Sequence, residues 1–597
     1  MKIRLHLLLL LILIPVWSST GSQEQIRLIE GDRTDYRIII ASDASPTEVF
    51  AAQELQGYVA QVTGVFLPMD QGSVQDAKKR ILVGSGAMAG LGLEVDKDEL
   101  GPDGFVIKTF GDKIILAGGS PRGTLYSVYA FLEIIGCRWL ALGIIGEVIP
   151  QVPTLIITPT AHSERPALAY RGFTNSIPVY HEGVQWIDWM GKNRMNYLMI
   201  PLSNYADFKA VVGGEIEKRG MDIGVRFEGF ASGDSQLSAD HILEFINDNP
   251  EIDIIELHPQ LLDMETSSEP YAESIAKIAE AVQKQYPDKA VSIMISGGAV
   301  SDTGYSILDA QRPGIQDLAS SIQHPALRKC YRHSLGDEHC HLNSEAGSYI
   351  GNHMEGWDKS HIYEHYMGSY DQNSLLFPIL NTISSDLKYL QELEGVSGVI
   401  SQCEPGNWGT YGLNYYIFAR MAWDPGYDLE GIVDDYCKKY FGSASGPMKK
   451  YFTALENAMI ATEHFHYIEP PHLILKLLDE KTLEDLAINI QNAASLADGA
   501  MIFDRIRKTQ LSLEHAKLLW YMLHYYSNAV QSQKTGENKE ARDYFQKSIE
   551  MGEKLIAFLF QNIDEGVFVI PENYIFEYLE PLVADARDRK ESLENKE

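Results

Sequence analysis

Cysteine is scarce in this chain: five among 597 residues, at positions 137, 330, 340, 403 and 437. A count that is small and odd excludes a disulfide-stapled scaffold, and a chain this long builds hydrophobic cores without staples. Cys330 with Cys340 is the local pair expected if a bridge forms. Cys403 reads as a packed thiol, because no histidine lies near it in sequence. Positive charge is also short, with 50 Lys and Arg against 82 Asp and Glu and a net charge of -32. That field disfavours nucleic acid and anionic membrane surfaces, and no basic patch with interleaved aromatics offsets it. An acidic surface mostly keeps a protein soluble and leaves neutral ligands open. After the first few residues no apolar run approaches the ~18 positions of a membrane span, so no membrane insertion is expected. Internal repeats and low-complexity linkers are missing as well.

The one long apolar run, Leu5 to Ile14, follows Lys2 and Arg4 and precedes Pro15 and the small polar residues Ser18 to Ser22. This is the layout of an export signal over residues 1–22, which predicts a secreted or periplasmic protein. No cysteine follows the run, which argues against a lipid anchor. Apolar content of 45% and charged content of 22% fit a globular protein, and the length predicts two to four domains.

Residues 23–160 read as a small α/β domain. YRIIIA is strand-like, and Ser45-Pro46-Thr47-Glu48 is a capping box with proline at the first helical position. Val49, Ala52, Leu55, Val59 and Val62 follow at helical spacing up to Gly64. Strands are predicted at 80–84, 104–109 and 113–119, with a second helix from Pro121 to Gly136. The turn Gly118-Gly119-Ser120-Pro121-Arg122-Gly123 invites a phosphate-loop reading but lacks both the Gly-Lys-Ser/Thr ending and the G-x-G-x-x-G spacing. A tight strand-to-helix turn, with Arg122 reaching a neighbouring domain, is the better reading.

Residues 161–442 alternate strand-like pieces (167–173, 196–202, 223–229, 253–259, 291–297 and 398–402) with helical stretches. That alternation is the sequence form of a (β/α)8 TIM barrel, whose catalytic groups collect at the carboxyl ends of the strands. Arg171, Glu228, Glu256, His258 and Glu404 are the polar residues expected there. Residues 443–597 carry no strand pattern. Amphipathic helices are predicted at Met448–Thr462, Thr482–Phe503, Ser512–Gln533 and Asn538–Phe560, giving a helical C-terminal domain.

The densest functional signal is Gly395 to Asp428. A short apolar strand turns into Gln402, Glu404, Asn407 and Trp408 among glycines, then enters an aromatic helix at Tyr415. An acid, an amide and an indole suit a sugar, the acid working on the glycosidic bond and the flat ring covering the pyranose. Glu404 and Glu256 are the candidate catalytic acids. Glu256 points into the barrel or outward depending on register, and a buried carboxylate paired with an arginine is its structural alternative. Trp408, Asn407, Tyr366, Tyr370, Tyr416, His258, Arg171 and Glu228 are the candidate sugar contacts. His361-Ile362-Tyr363-Glu364-His365 matches a zinc-protease pattern in form only, since it needs a helix that Gly368 and Ser369 soon interrupt. No metal or organic cofactor is expected.

AAQELQGYVAQVTG, ILVG and LGPDGFVIKTFGDKIILAGGSPRGTLYSVYAFLEIIGCRWLALG resemble the N-terminal domain of α-glucuronidases and β-N-acetylhexosaminidases. WIDWMGKNRMNYL, EHYMGSYDQNS and GNWGTYGLNYYIFARMAWDPGYDLEGIVDDYCKKYFG resemble the domain of unknown function 4838 family, linked to glycoside hydrolase family 163. The resemblance implies an endo-β-N-acetylglucosaminidase acting on N-acetylglucosamine-containing glycans. A retaining mechanism is expected, with Glu404 or Glu256 as the acid and the substrate acetamide as the hypothesised nucleophile. Where many members carry Trp-Pro-Asn-Asp-Gly, this chain has His258-Pro259-Gln260-Leu261-Leu262. Leu261 in the aspartate position leaves two alternatives: a non-catalytic carbohydrate-binding protein, or an α-glucuronidase-like hydrolase.

Overall fold

The computed structural model describes residues 25–595 except 73–78, 92–93, 175–181, 228–238, 258–277, 297–327, 329, 345–346, 348–359, 369–373, 405, 466–472 and 569–573. Its first layer is a six-stranded sheet ordered Ala161–Glu164, Phe105–Phe110, Lys113–Gly118, Arg80–Val83, Arg37–Ile40, Met69–Gln71. Helices Pro46–Thr63 and Pro121–Ile134 pack on it. The expected capping box forms: Ser45 Oγ accepts the Glu48 N–H at 3.2 Å, and Glu48 Oε2 accepts the Ser45 N–H at 2.9 Å. Gly64 closes that helix with a φ of 77°, a left-handed conformation that glycine adopts without penalty.

The Gly118–Gly123 turn is structural. Ser120 Oγ accepts the N–H groups of Arg122 and Gly123 at 3.1 and 3.3 Å, using the donors an anion would need. A Cβ on Gly118 would lie 2.1 Å from the Gly123 carbonyl carbon, so the glycine serves close backbone approach. Arg122 reaches Asp103 at 2.6 Å, Gly220 O at 2.6 Å and Asp222 at 3.0 Å, joining the sheet layer to the barrel as expected.

The barrel strands are Tyr170–Thr174, Tyr197–Pro201, Asp222–Phe227, Ile254–Leu257, Ala290–Ser296, Ser360–Glu364 and Val396–Gln402. Each pairs in parallel with the next, and the last pairs back to the first, so the described ring closes on these seven strands. The sixth strand is the one the sequence pattern hides. The H-x-x-E-H run, which a zinc site would need as helix, is this strand. Its inward positions are His361 and Tyr363 and its outward position is the apolar Ile362, so the usual core signal is inverted. Outside the ring lie Gly183–Lys192, Tyr205–Arg219, Ala239–Asp248, Leu380–Leu390 and Trp408–Trp423.

Helices close the chain, including Ser445–Ala461, Glu480–Leu496, Ala500–Thr535 and Asn538–Asn562. The expected Thr482–Phe503 helix stops at Leu496, because Asp498-Gly499 interrupts it. A single 36-residue helix then runs from Ala500 to Thr535. Among the described residues no helix is long and apolar enough to cross a membrane.

Candidate active site

Side chains of a strand alternate between faces, so every second barrel residue points inward. In the lower interior, Glu256 accepts from the Tyr197 hydroxyl, and its Oε1 lies 2.9 Å from His361 Nδ1. Ser292 Oγ is 3.4 Å from the same imidazole nitrogen. A Cβ on Gly224 would sit 1.8 Å from the Tyr197 hydroxyl, so glycine there lets the phenol cross the barrel to the carboxylate. Burial alone would raise the Glu256 pKa, but His361 and the hydrogen bonds from His361, Tyr197 and Ser292 hold it below the usual range. Glu256 is therefore an ionised acid, 0% exposed, whose partner is a histidine where an arginine was the expected structural partner.

The upper interior differs. Gln402 ends the seventh strand and Glu404 follows two residues on, 5% exposed. Gln402 Nε2 donates to Glu404 Oε1 at 2.6 Å, and Gln402 Oε1 accepts from His365 Nδ1. This amide orientation follows from the network, and it places the His365 proton on Nδ1. Burial pulls the His365 pKa down to about 4, against the Gln402 hydrogen bond, so the ring is neutral near pH 7. Tyr363 lies beside His365 with ring centroids 4.8 Å apart. Alternation turns Arg226 inward on the third strand, above Gly224. The Thr174 hydroxyl, at the end of the first strand, is buried with no hydrogen-bond partner among the described residues. An acid wired to an amide and an imidazole, with a cation and a hydroxyl on the facing walls, can protonate a leaving oxygen and hold sugar hydroxyls.

The remaining candidates fall elsewhere. Trp408 does not sit in a loop; it starts a helix with Asn407 before it. Its ring stacks on Tyr415 at 4.3 Å and meets Trp189 at 4.9 Å and Trp186 at 5.1 Å, so the face expected for a pyranose is taken by core aromatics. Its open side borders a cavity of about 170 Å³ with Glu182, Tyr440 and Arg505, between the barrel wall and the C-terminal helices. Asn407 is 0% exposed and accepts from the Tyr415 hydroxyl at 2.9 Å. Tyr366 is 0% exposed and donates to Asp386 at 3.0 Å, outside the barrel. Tyr416 is buried against Tyr436. Arg171, near the amino end of its strand, points outward and binds Asp103 of the sheet layer at 2.5 Å. Glu228, His258 and Tyr370 lie outside the described residues. All five cysteines are free thiols, including the expected Cys330 and Cys340 pair.

Sequence reasoning missed His365, Gln402 as a wire, Tyr363 and Thr174, and it read Arg226 only as a uronate contact of the α-glucuronidase alternative. Alternation along the expected strands places Gln402, Thr174 and Arg226 inward, whereas Tyr363 follows only once residues 360–364 are read as a strand. Behind that strand, Glu364 accepts from Arg328 at 3.3 Å and from Tyr331 at 3.0 Å, with Asp386 alongside. Burial pushes Glu364 up to about 7, with Asp386 pushing the same way against Arg328. The cluster faces away from the mouth and is structural.

A family model described as domain of unknown function (DUF4838) matches residues 260–454. One described as the glycosyl hydrolase family 67 N-terminus matches residues 28–131. The chain thus carries a DUF4838 region behind an α-glucuronidase-type N-terminal domain, as the resemblance implied. No curated protein matches it. Among solved structures it is similar to a GH138 enzyme targeting pectin rhamnogalacturonan II, at 13% identity and a TM-score of 0.61, covering 94% of this chain and 80% of that one. It is similar to BtGH115A, a GH115 4-O-methyl-α-glucuronidase with specificity for decorated arabinogalactans, at 12% identity and a TM-score of 0.62, covering 94% and 80%. CpGH84D is similar at 13% identity and a TM-score of 0.51, covering 96% and 97%. At such identities these likenesses establish the shared fold.

Proposed function

We propose that this DUF4838-bearing chain is an exported glycoside hydrolase acting on N-acetylglucosamine-containing glycans. One observation carries the reading: Glu404 stands at the carboxyl end of the last barrel strand, its Oε1 occupied by Gln402, in a polar mouth with His365, Tyr363, Thr174 and Arg226. Glu404 delivers the proton to the glycosidic oxygen. The acetamide oxygen of the substrate attacks the anomeric carbon as that bond breaks. Water then opens the cyclic intermediate, with Glu404 as base, and the anomeric configuration is retained. Glu256 serves as an interior charge rather than the acid, because it is 0% exposed below the mouth, with Tyr197 and His361 on its Oε1.

The inward Arg226 favours a second reading, a uronate-specific hydrolase that pairs the sugar carboxylate with a guanidinium. Incubation of the chain with a complex N-glycopeptide, an aryl N-acetylglucosaminide and an aryl glucuronide separates the readings by mass of the product. Release at N-acetylglucosamine, lost in Glu404→Gln, is the expected result. Turnover of the glucuronide alone selects the second reading. Saturable glycan binding without turnover would leave a carbohydrate-binding protein.

A further inference from the structure

Away from the mouth, Cys330, His333, Cys340 and His464 each bring a ligand atom to within 4.8 Å of the others. Three come from one turn-rich segment that forms no strand. The fourth follows the helix Ser445–Ala461. Both cysteines are buried free thiols, and Cys330 Sγ lies 3.3 Å from His333 Nδ1. The His464 ring lies 5.4 Å from that of His333, and its Nδ1 is buried with no hydrogen-bond partner among the described residues.

The surrounding backbone is already shaped for this convergence. Asn343, 0% exposed, accepts the Cys330 N–H at 3.0 Å and donates to the carbonyls of Cys330 at 2.8 Å and His333 at 3.1 Å. The Tyr331 N–H donates to Phe465 O at 2.8 Å, stitching the segment beside His464.

We propose that Cys330, His333, Cys340 and His464 form a structural zinc site. Two thiolates and two imidazoles are the set that a tetrahedral, borderline-soft divalent ion prefers. Four protein ligands complete the tetrahedron and leave no position for substrate, so the ion does not act on a glycan. Binding releases the two thiol protons to solvent as the Zn–S bonds form, with no change of oxidation state. The ion fastens residues 330–344 to the chain that leaves the Ser445–Ala461 helix. Arg328, two residues before the first ligand, donates to Glu364 and Asp386 behind the sixth barrel strand. Zinc would thereby fix the wall that carries His365 and Tyr363. The sequence hides the site because one ligand is far along the chain, and the paired cysteines suggest a disulfide instead.

The test uses the full chain produced in zinc-supplemented medium, dialysed against metal-free buffer and analysed for metal content. About one zinc per chain is expected for the wild type. Cys340→Ser and His464→Ala should each reduce that content at least ~5-fold. Cobalt added to the stripped, reduced wild type should give the visible bands of a tetrahedral thiolate site, a readout independent of whether either variant folds. A wild-type chain that binds no zinc and gives no such cobalt spectrum overturns the proposal, whether Cys330 and Cys340 are then free or joined in a disulfide. Zinc content unchanged in both variants overturns it as well, as an adventitious ion only.

Discussion

Gln402 holds two partners at once, the His365 N–H and a Glu404 oxygen, and both lose that hydrogen bond if the amide is removed. Gln402→Leu should therefore lower kcat on the best substrate by roughly 10–100-fold with KM nearly unchanged, because the acid loses orientation rather than the sugar losing contacts. Glu404→Gln should fall further, by about 10²–10⁴-fold, having lost the proton itself. Steady-state kinetics of the two variants check this, and equal losses in both would sink the positioning role. Glu256→Leu is expected to act on stability instead. It strands the Tyr197 hydroxyl and the His361 N–H in the barrel interior, at a cost of about 3–5 kcal/mol in urea unfolding. At this scale the sequence was legible where an acid follows an apolar strand, as at Glu404. It misled at Trp408, since glycine and asparagine neighbours suggest a loop, while the real environment is set by Tyr415, Trp186 and Trp189 from the helices.

Elements were more legible than residues. The capping box, the Gly64 terminator and all six expected barrel strands are local patterns of hydrophobicity and turn chemistry. On the first strand, the face that Arg171 takes was not legible. The strand Ser360–Glu364 escaped because its inward positions are polar. How elements dock on one another depends on contacts distant in sequence, and the Asp103 carboxylate shows the consequence. Burial would raise its pKa, yet Arg122 and Arg171 hold it below the ordinary carboxylate value. The folded value is depressed, so this stability is present above the unfolded carboxylate pKa and is lost as pH falls through the folded one. Asp103→Asn leaves Arg171, 0% exposed, beside an amide and should cost about 3–5 kcal/mol near neutral pH. Denaturant midpoints read that cost. A loss below ~1 kcal/mol would mean that the carbonyls of Leu168, Ala169 and Arg194 suffice to hold the guanidinium.

For the whole molecule, acid stability depends on histidines that fold in the neutral form. Burial takes His515 down to about 3 and His365 down to about 4. His515 lies in the C-terminal helices with Nε2 3.2 Å from the Tyr574 hydroxyl, and its Nδ1 has no partner among the described residues. An imidazolium there would have two N–H groups and one acceptor. Below the unfolded value of ~6.5, the unfolded chain takes up protons that the native chain refuses, so stability falls as pH falls, by up to ~1.4 kcal/mol per unit for each histidine. His365 contributes less because the mouth leaves it partly open to solvent. Glu364 works in the opposite direction: its folded value is raised to about 7, so the native chain holds that proton more tightly and gains stability as pH drops. The net charge of -32 adds repulsion that also eases in acid. These opposing terms make the wild-type profile a poor test by itself, but they cancel between the wild type and His515→Gln. The stability advantage of the wild type over that variant should shrink by about 2–3 kcal/mol between pH ~7 and pH ~4.5. Urea unfolding of both proteins at the two pH values measures the difference, and an advantage independent of pH would show that His515 titrates normally in the fold.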